Sequence, residues 1–172
     1  NDSKIAKNAK YLINQAKDDV NKYIHNEIGY NFGLPNIHSA IGLAQLEQLP
    51  LFLEKKNKIN KLYINGVNEI EGLNIAPVPK YAKNNHWLNI LQIDKNIYGI
   101  DRDTLMNVLH NSGIQTRPIW KFNHDQKPYK NCQSYRIEKA YDLVKNSLCL
   151  PGSVNISDEH LNNIIIKLRL IN

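Results

Sequence analysis

The chain has 172 residues, 42% of them apolar, which suffices for one domain with a real core and is short for two. It contains no apolar run of ~18 residues, which argues against a membrane-spanning helix, and Asn1-Asp2-Ser3-Lys4 lacks the apolar stretch of a secretory signal. The formal charge of +6 comes from scattered lysines, and without a basic stripe interleaved with aromatics it argues against nucleic acid as a partner.

Residues 4–18 place Ile5, Ala6, Ala9, Leu12, Ile13 and Ala16 at helical spacing, which predicts an amphipathic helix. From Asp18-Asp19 to Phe32 the chain reads as irregular or partly extended. A helix is expected from Asn36, whose amide suits an N-cap. Between Ile37 and Leu49 apolar or small residues fall on nearly every face, predicting burial on most sides. Pro50 lacks the N–H that a helix interior uses, so a kink or stop is expected at Leu49. A second helix should run from Leu51 to Ile70, with Lys55-Lys56-Asn57-Lys58 on a solvated face and Gly72 as its stop.

Trp87 to Ile93 reads as a strand and Asp101 to Leu109 as a helix, with Asp101 or Asp103 at its start and Gly113 at its end. Gln115 to Trp120 is a short extended run limited by Pro118. A helix from Ser134 to Asn146 precedes the apolar strand Ser147 to Leu150. Ser157 then caps a last helix that carries Asp158 and Glu159 in its first turn. A small sheet packed with helices, preceded by two long helices, makes the fold class α/β. Cys132 and Cys149 have no metal-like spacing and read as two ordinary thiols of a cytosolic chain. His86, His110 and His160 lack carboxylate partners at metal-binding spacing, so they read as structural or solvated, and no metal is expected.

Two segments carry candidate chemistry. The first is the polar, Gly-containing loop His25 to Pro35, which runs into a helix start where unpaired N–H groups and the dipole favour an anion. Within it the Asn31 amide is able to donate to a phosphate oxygen without a charge partner, although loop asparagines commonly close turns onto backbone. His25 is a polar neighbour of the same loop. The second segment is Arg117 to Tyr129. Arg117 offers a planar fork to carboxylate or phosphate, Trp120 a surface that stacks on a sugar or base, and His124 a hydrogen bond. The competing structural roles are a surface ion pair, core filling and a polar helix boundary.

Gly29-Tyr30-Asn31-Phe32, followed by Asn36, Ala40, Gly42 and Ala44-Gln45-Leu46-Glu47, resembles the signature loop and helix of the DegT/StrS-type sugar aminotransferases. Gly113-Ile114-Gln115-Thr116-Arg117-Pro118, Trp120-Lys121, His124, Gln126, Tyr129 and Leu148-Cys149-Leu150-Pro151 are similar to later segments of that family. The Thr116-Arg117-Pro118 to Trp120 pattern looks most like the subgroup that aminates carbon 4 of a nucleotide-linked 4-keto-6-deoxy sugar.

The resemblance implies pyridoxal 5'-phosphate as cofactor and an aspartate-aminotransferase-like, fold type I architecture. Residues 1–50 would then be the end of the large domain with the interdomain helix, and 51–172 the C-terminal small α/β domain. The resemblance covers less than half of a family member. It implies that the cofactor-bonding lysine lies upstream, that this chain holds no catalytic residue, and that it is inactive alone. It assigns Asn31 to the cofactor phosphate of the neighbouring subunit, and His25, Tyr30, Arg117, Trp120 and His124 to the substrate. Gly33 stands where the family carries Arg or Lys, and Arg117 is the candidate replacement. A cytoplasmic homodimer sharing its active sites, with glutamate and a nucleotide-linked keto sugar as substrates, is implied in turn. The rival reading is a non-catalytic dimerisation or interaction module of the same fold.

Overall fold

The computed structural model describes residues 2–19 and 21–171, in two compact units, Asn1–Leu49 and Pro50–Asn172. In the first, helix α1 (Ser3–Ile13) is capped by Asp2, whose carboxylate accepts the N–H groups of Lys4 at 2.9 Å and Ile5 at 3.2 Å. Such a cap removes two of the donors that a helix start leaves unpaired. The helix stops short of residue 18 because Gln15 and Ala16 take φ values of 68° and 50°, a left-handed backbone that ends the helical ladder. A two-stranded antiparallel ribbon follows, β1 (Lys17–Asp19) and β2 (Ile24–His25).

The last four carbonyls of α1 all find donors. Asn14 Nδ2 takes that of Lys10, and the Asn14 and Ala16 N–H groups take that of Tyr11. The carbonyls of Leu12 and Ile13 accept from the N–H groups of Tyr30, at 2.7 Å, and Phe32, at 3.0 Å. The returning segment comes so close that a Cβ on Gly29 would lie 2.3 Å from the Ala16 nitrogen and the Gln15 carbonyl carbon.

Helix α2 (Asn36–Val67) is a single element of 32 residues with Pro50 inside it, so the expected stop at Leu49 does not occur. Proline removes one donor, that to the Leu46 carbonyl, and Leu46 is exposed, so the helix loses a single bond on an open turn. Asn36 is the first helical residue rather than the cap, and the preceding Pro35 carbonyl accepts from the Ser39 N–H and Oγ. The expected burial of Ile37 to Leu49 also fails, since every residue of that stretch is exposed. An apolar pattern on all faces states a need for cover, and the chain's own core begins on this helix only at Ile59.

In the second unit an antiparallel sheet has the order β3-β4-β6-β5, formed by β3 (Leu73–Ile75), β4 (Asn89–Ile93), β5 (Arg117–Pro118) and β6 (Ser147–Leu150). Leu91 faces Leu148 across the central pair, and Arg117 faces Cys149 at the edge. The remaining helices are α3 (Lys95–Tyr98), α4 (Arg102–Asn111), α5 (Glu138–Lys145) and α6 (Asp158–Leu170). β3 and α3 were not anticipated, and α5 begins four residues later than expected, at Glu138. Asp101 and Ser157 cap α4 and α6 as the sequence indicates, accepting from the Thr104 and His160 N–H groups at 2.8 and 3.1 Å. Ile59, Tyr63 and Val67 of α2 form one core with Leu91, Leu148, Leu105, Leu109, Leu161 and Leu168. Gly66 permits the approach of α6, because a Cβ there would meet Ile165 Cδ1 at 2.6 Å. No helix among the described residues is long and apolar enough to cross a membrane.

The buried Tyr98 hydroxyl donates to the Leu168 carbonyl at 2.7 Å, a group in the last turn of α6 that the helix itself leaves unpaired. Burial pushes its pKa up to about 12, so the folded state keeps this proton above the ordinary tyrosine value. Stability from Tyr98 is therefore full below pH ~10 and falls as pH rises from there to ~12. Tyr98→Phe is expected to cost ~1–2 kcal/mol, read as a lower urea midpoint at unchanged slope. Gly29→Ala should raise amide exchange at Tyr30 and Phe32 by ~10-fold or more, since overpacking costs ~1–3 kcal/mol. Amides of the β4–β6 pair should not change.

Candidate functional site

The loop after β2 is tied to the end of α1 through the backbones of Tyr30 and Phe32. Asn31 is exposed, its backbone bridged to Asn14, and its amide side chain makes no hydrogen bond to a described residue. Tyr30 stacks on Phe32 with ring centroids 5.1 Å apart and planes 13° from parallel. His25 Nδ1 lies 2.7 Å from the Gln15 carbonyl, so this nitrogen carries the proton and ties the ribbon to the end of α1. Three of the sequence candidates, His25 at the end of β2 and Tyr30 and Asn31 in the loop that follows it, thus lie in the first unit.

In the second unit a cleft of about 270 Å³ is lined by Lys56, Trp87, Arg117 and the Pro151-Gly152-Ser153 turn. Trp87 and Trp120 are both largely exposed, with ring centroids 5.9 Å apart, so Trp120 is not core filling. Arg117 makes no ion pair among the described residues, and its guanidinium stays available to an anion. The Lys56 ammonium donates to the Gly152 carbonyl and, at 3.5 Å, to that of Trp87. Burial lowers its pKa. The solvated face expected for Lys55 to Lys58 therefore does not include Lys56, while Lys58 is an exposed partner of Asp158 at 2.5 Å.

His124 does not line this cleft. It sits in a short 3-10 turn, Asn123–Asp125, with its Nε2 3.0 Å from the Tyr141 hydroxyl, which in turn donates to Asp125 Oδ1 at 2.8 Å. The hydrogen bond to Asp125, then partial desolvation and the Asp125 charge, raise the pKa of Tyr141. Phe122 stacks on the imidazole with centroids 5.3 Å apart and meets Tyr141 edge-on. His110 and His160 are engaged with Thr116 and Ser157, Cys132 and Cys149 are unbridged, and no metal-binding cluster occurs among the described residues.

Lys56, Trp87, Asp125 and Tyr141 escaped sequence reasoning. A lysine in a basic cluster looks solvated, and no spacing rule links residue 141 to residue 124. Only the Phe122–Asp125 neighbourhood carried a signal, since it lies inside the recognised second segment.

The family model of the DegT/DnrJ/EryC1/StrS aminotransferases matches residues 1–169. A Bacillus subtilis protein described as a pyridoxal phosphate-dependent aminotransferase, EpsN, is 31% identical over 169 residues, covering 96% of this chain and 43% of that protein. A GDP-perosamine synthase of Escherichia coli is 32% identical over 142 residues, covering 81% of this chain and 37% of the synthase. The structure of DesI, determined in the presence of its TDP-sugar product, superposes with a TM-score of 0.79 at 25% identity, over 98% of this chain and 43% of DesI. The chain thus spans about two fifths of the length of the curated relatives it matches. Its architecture is that of the C-terminal portion of fold type I sugar aminotransferases. With the match extending through the loop, the cleft and the sheet, this chain belongs to the DegT/DnrJ/EryC1/StrS aminotransferase family, whose cofactor is pyridoxal phosphate.

Proposed function

We propose that this chain is the C-terminal part of an aminotransferase that moves an amino group from glutamate to a nucleotide-linked 4-keto-6-deoxy sugar in the cytoplasm. Residues 1–50 are the end of its large domain and 51–172 its small domain. Asn31 carries the reading. Its amide is exposed and has no hydrogen-bond partner among the described residues, on a loop pinned to the end of α1 through the N–H groups of Tyr30 and Phe32, and a neutral donor so placed is free for a phosphate oxygen. The residues therefore fit the cofactor: Asn31 holds the phosphate of the opposite protomer's pyridoxal group. That group, when bound, supplies the electron sink for amino transfer.

Arg117 binds an anionic group of the nucleotide sugar and Trp120 stacks on it, while Tyr30, His25 and His124 each offer the substrate a polar edge. A homodimer is supported by the apolar side chains exposed on α2, among them Ile37, Ile41 and Leu46, because contiguous apolar surface of this kind is normally covered in an assembly. The same surface would serve a non-catalytic module, and the two readings part at the cofactor. In the longer enzyme, Asn31→Ala should weaken pyridoxal phosphate binding ~10–100-fold, the loss of one hydrogen bond to a charged group. Arg117→Ala should raise the KM for the sugar nucleotide ~10-fold or more with cofactor affinity unchanged. An Asn31→Ala enzyme with unaltered cofactor affinity would refute the assignment.

A further inference from the structure

The hydrogen-bond polarity at His124 Nε2 is set by its neighbours. As a carboxylate, Asp125 accepts and cannot donate. The Tyr141 hydroxyl has one proton and gives it to Asp125 Oδ1 at 2.8 Å. The contact of 3.0 Å between that hydroxyl and His124 Nε2 therefore needs its proton from the imidazole. A neutral histidine that carries its proton on Nε2 has a bare lone pair on Nδ1. The only hydrogen bond of this ring among the described residues is the one through Nε2. Phe122 on the imidazole face and the edge-on Tyr141 ring, 4.6 Å from Phe122, limit rotation.

We propose that Tyr141 and Asp125 act as positioning residues that lock His124 as its Nε2–H tautomer, so that Nδ1 is presented as an acceptor to a hydroxyl group of the ligand. The ligand half of this inference rests on the reading of His124 as part of the substrate wall. An anionic oxygen, itself only an acceptor, gains nothing from that lone pair. A sugar hydroxyl does. This corner therefore selects the hydroxyl-bearing part of a substrate, while Arg117 and Asn31 serve anions.

The test is long-range proton–nitrogen correlation NMR of the histidine-labelled chain at about pH 8.5, two units above the ordinary histidine pKa of ~6.5. His124→Gln identifies the signals. The wild-type ring is expected to show the Nε2–H pattern alone. Tyr141→Phe keeps the aromatic contact and removes the hydroxyl, and should bring in the Nδ1–H form. Asp125→Ala, which frees the tyrosine proton to point at the imidazole, should do the same and decides the matter if the first variant does not fold by circular dichroism. A wild-type Nδ1–H pattern, or a His124 signal indifferent to the folded variants, overturns the lock. No substrate enters these spectra, so they stand apart from the proposed activity. A locked ring in an enzyme whose His124→Ala variant keeps its sugar KM would overturn the ligand half alone.

Discussion

Everything proposed for the first unit depends on how the end of α1 disposes of its carbonyls. A helix terminus leaves four acceptors without intrahelical donors, and here the last two are taken by Tyr30 and Phe32 from a segment far along the chain. That seal requires backbone to lie on backbone, and Gly29 is the residue that lets it happen. Once alternate N–H groups are spent on α1, side chains alternate as in a strand. Tyr30 and Phe32, both exposed, stack together on one side, and Asn31, between them, points its amide to the other. The amide is available because of what its neighbours' backbones are doing.

A different logic organises the second unit. Its core of α2, α4, α6 and the sheet is closed by ordinary apolar packing, and the polar tethers sit where loops must be held in place. Tyr63 reaches the Pro151 carbonyl at 2.9 Å, and Lys56 reaches that of Gly152. Both come from α2 and both hold the turn after β6, which is one wall of the cleft beside Arg117 and Trp87. Burying part of a lysine stem to place its ammonium on two carbonyls is a use of Lys as a positional clamp, with the charge still satisfied by hydrogen bonds.

Local chemistry was the part of this structure that could be read from the sequence. Ser157 and Asp101 are caps because their short side chains reach the N–H groups ahead of them, and β6 falls on the apolar run Ser147 to Leu150. What failed depended on partners that a linear pattern does not name. The apolar residues of α2 before Pro50 describe a buried helix, yet they are exposed. Pro50 does not end α2, since it removes only one donor of a 32-residue helix. The family-like segments name Asn31, Arg117, Trp120 and His124 as candidates, whereas Tyr141, which holds His124, and Lys56, which holds the turn beside Arg117, act through space. The engagement of His124 by Tyr141, outside the Arg117 cleft, was invisible for the same reason.

The most direct measurement is a crystal structure, with pyridoxal phosphate bound, of the longer enzyme proposed for this chain. The account predicts that Asn31 Nδ2 lies ~3 Å from a phosphate oxygen of the cofactor held by the other protomer. An amide turned onto its own subunit's backbone, with that phosphate satisfied entirely by other groups, would contradict it.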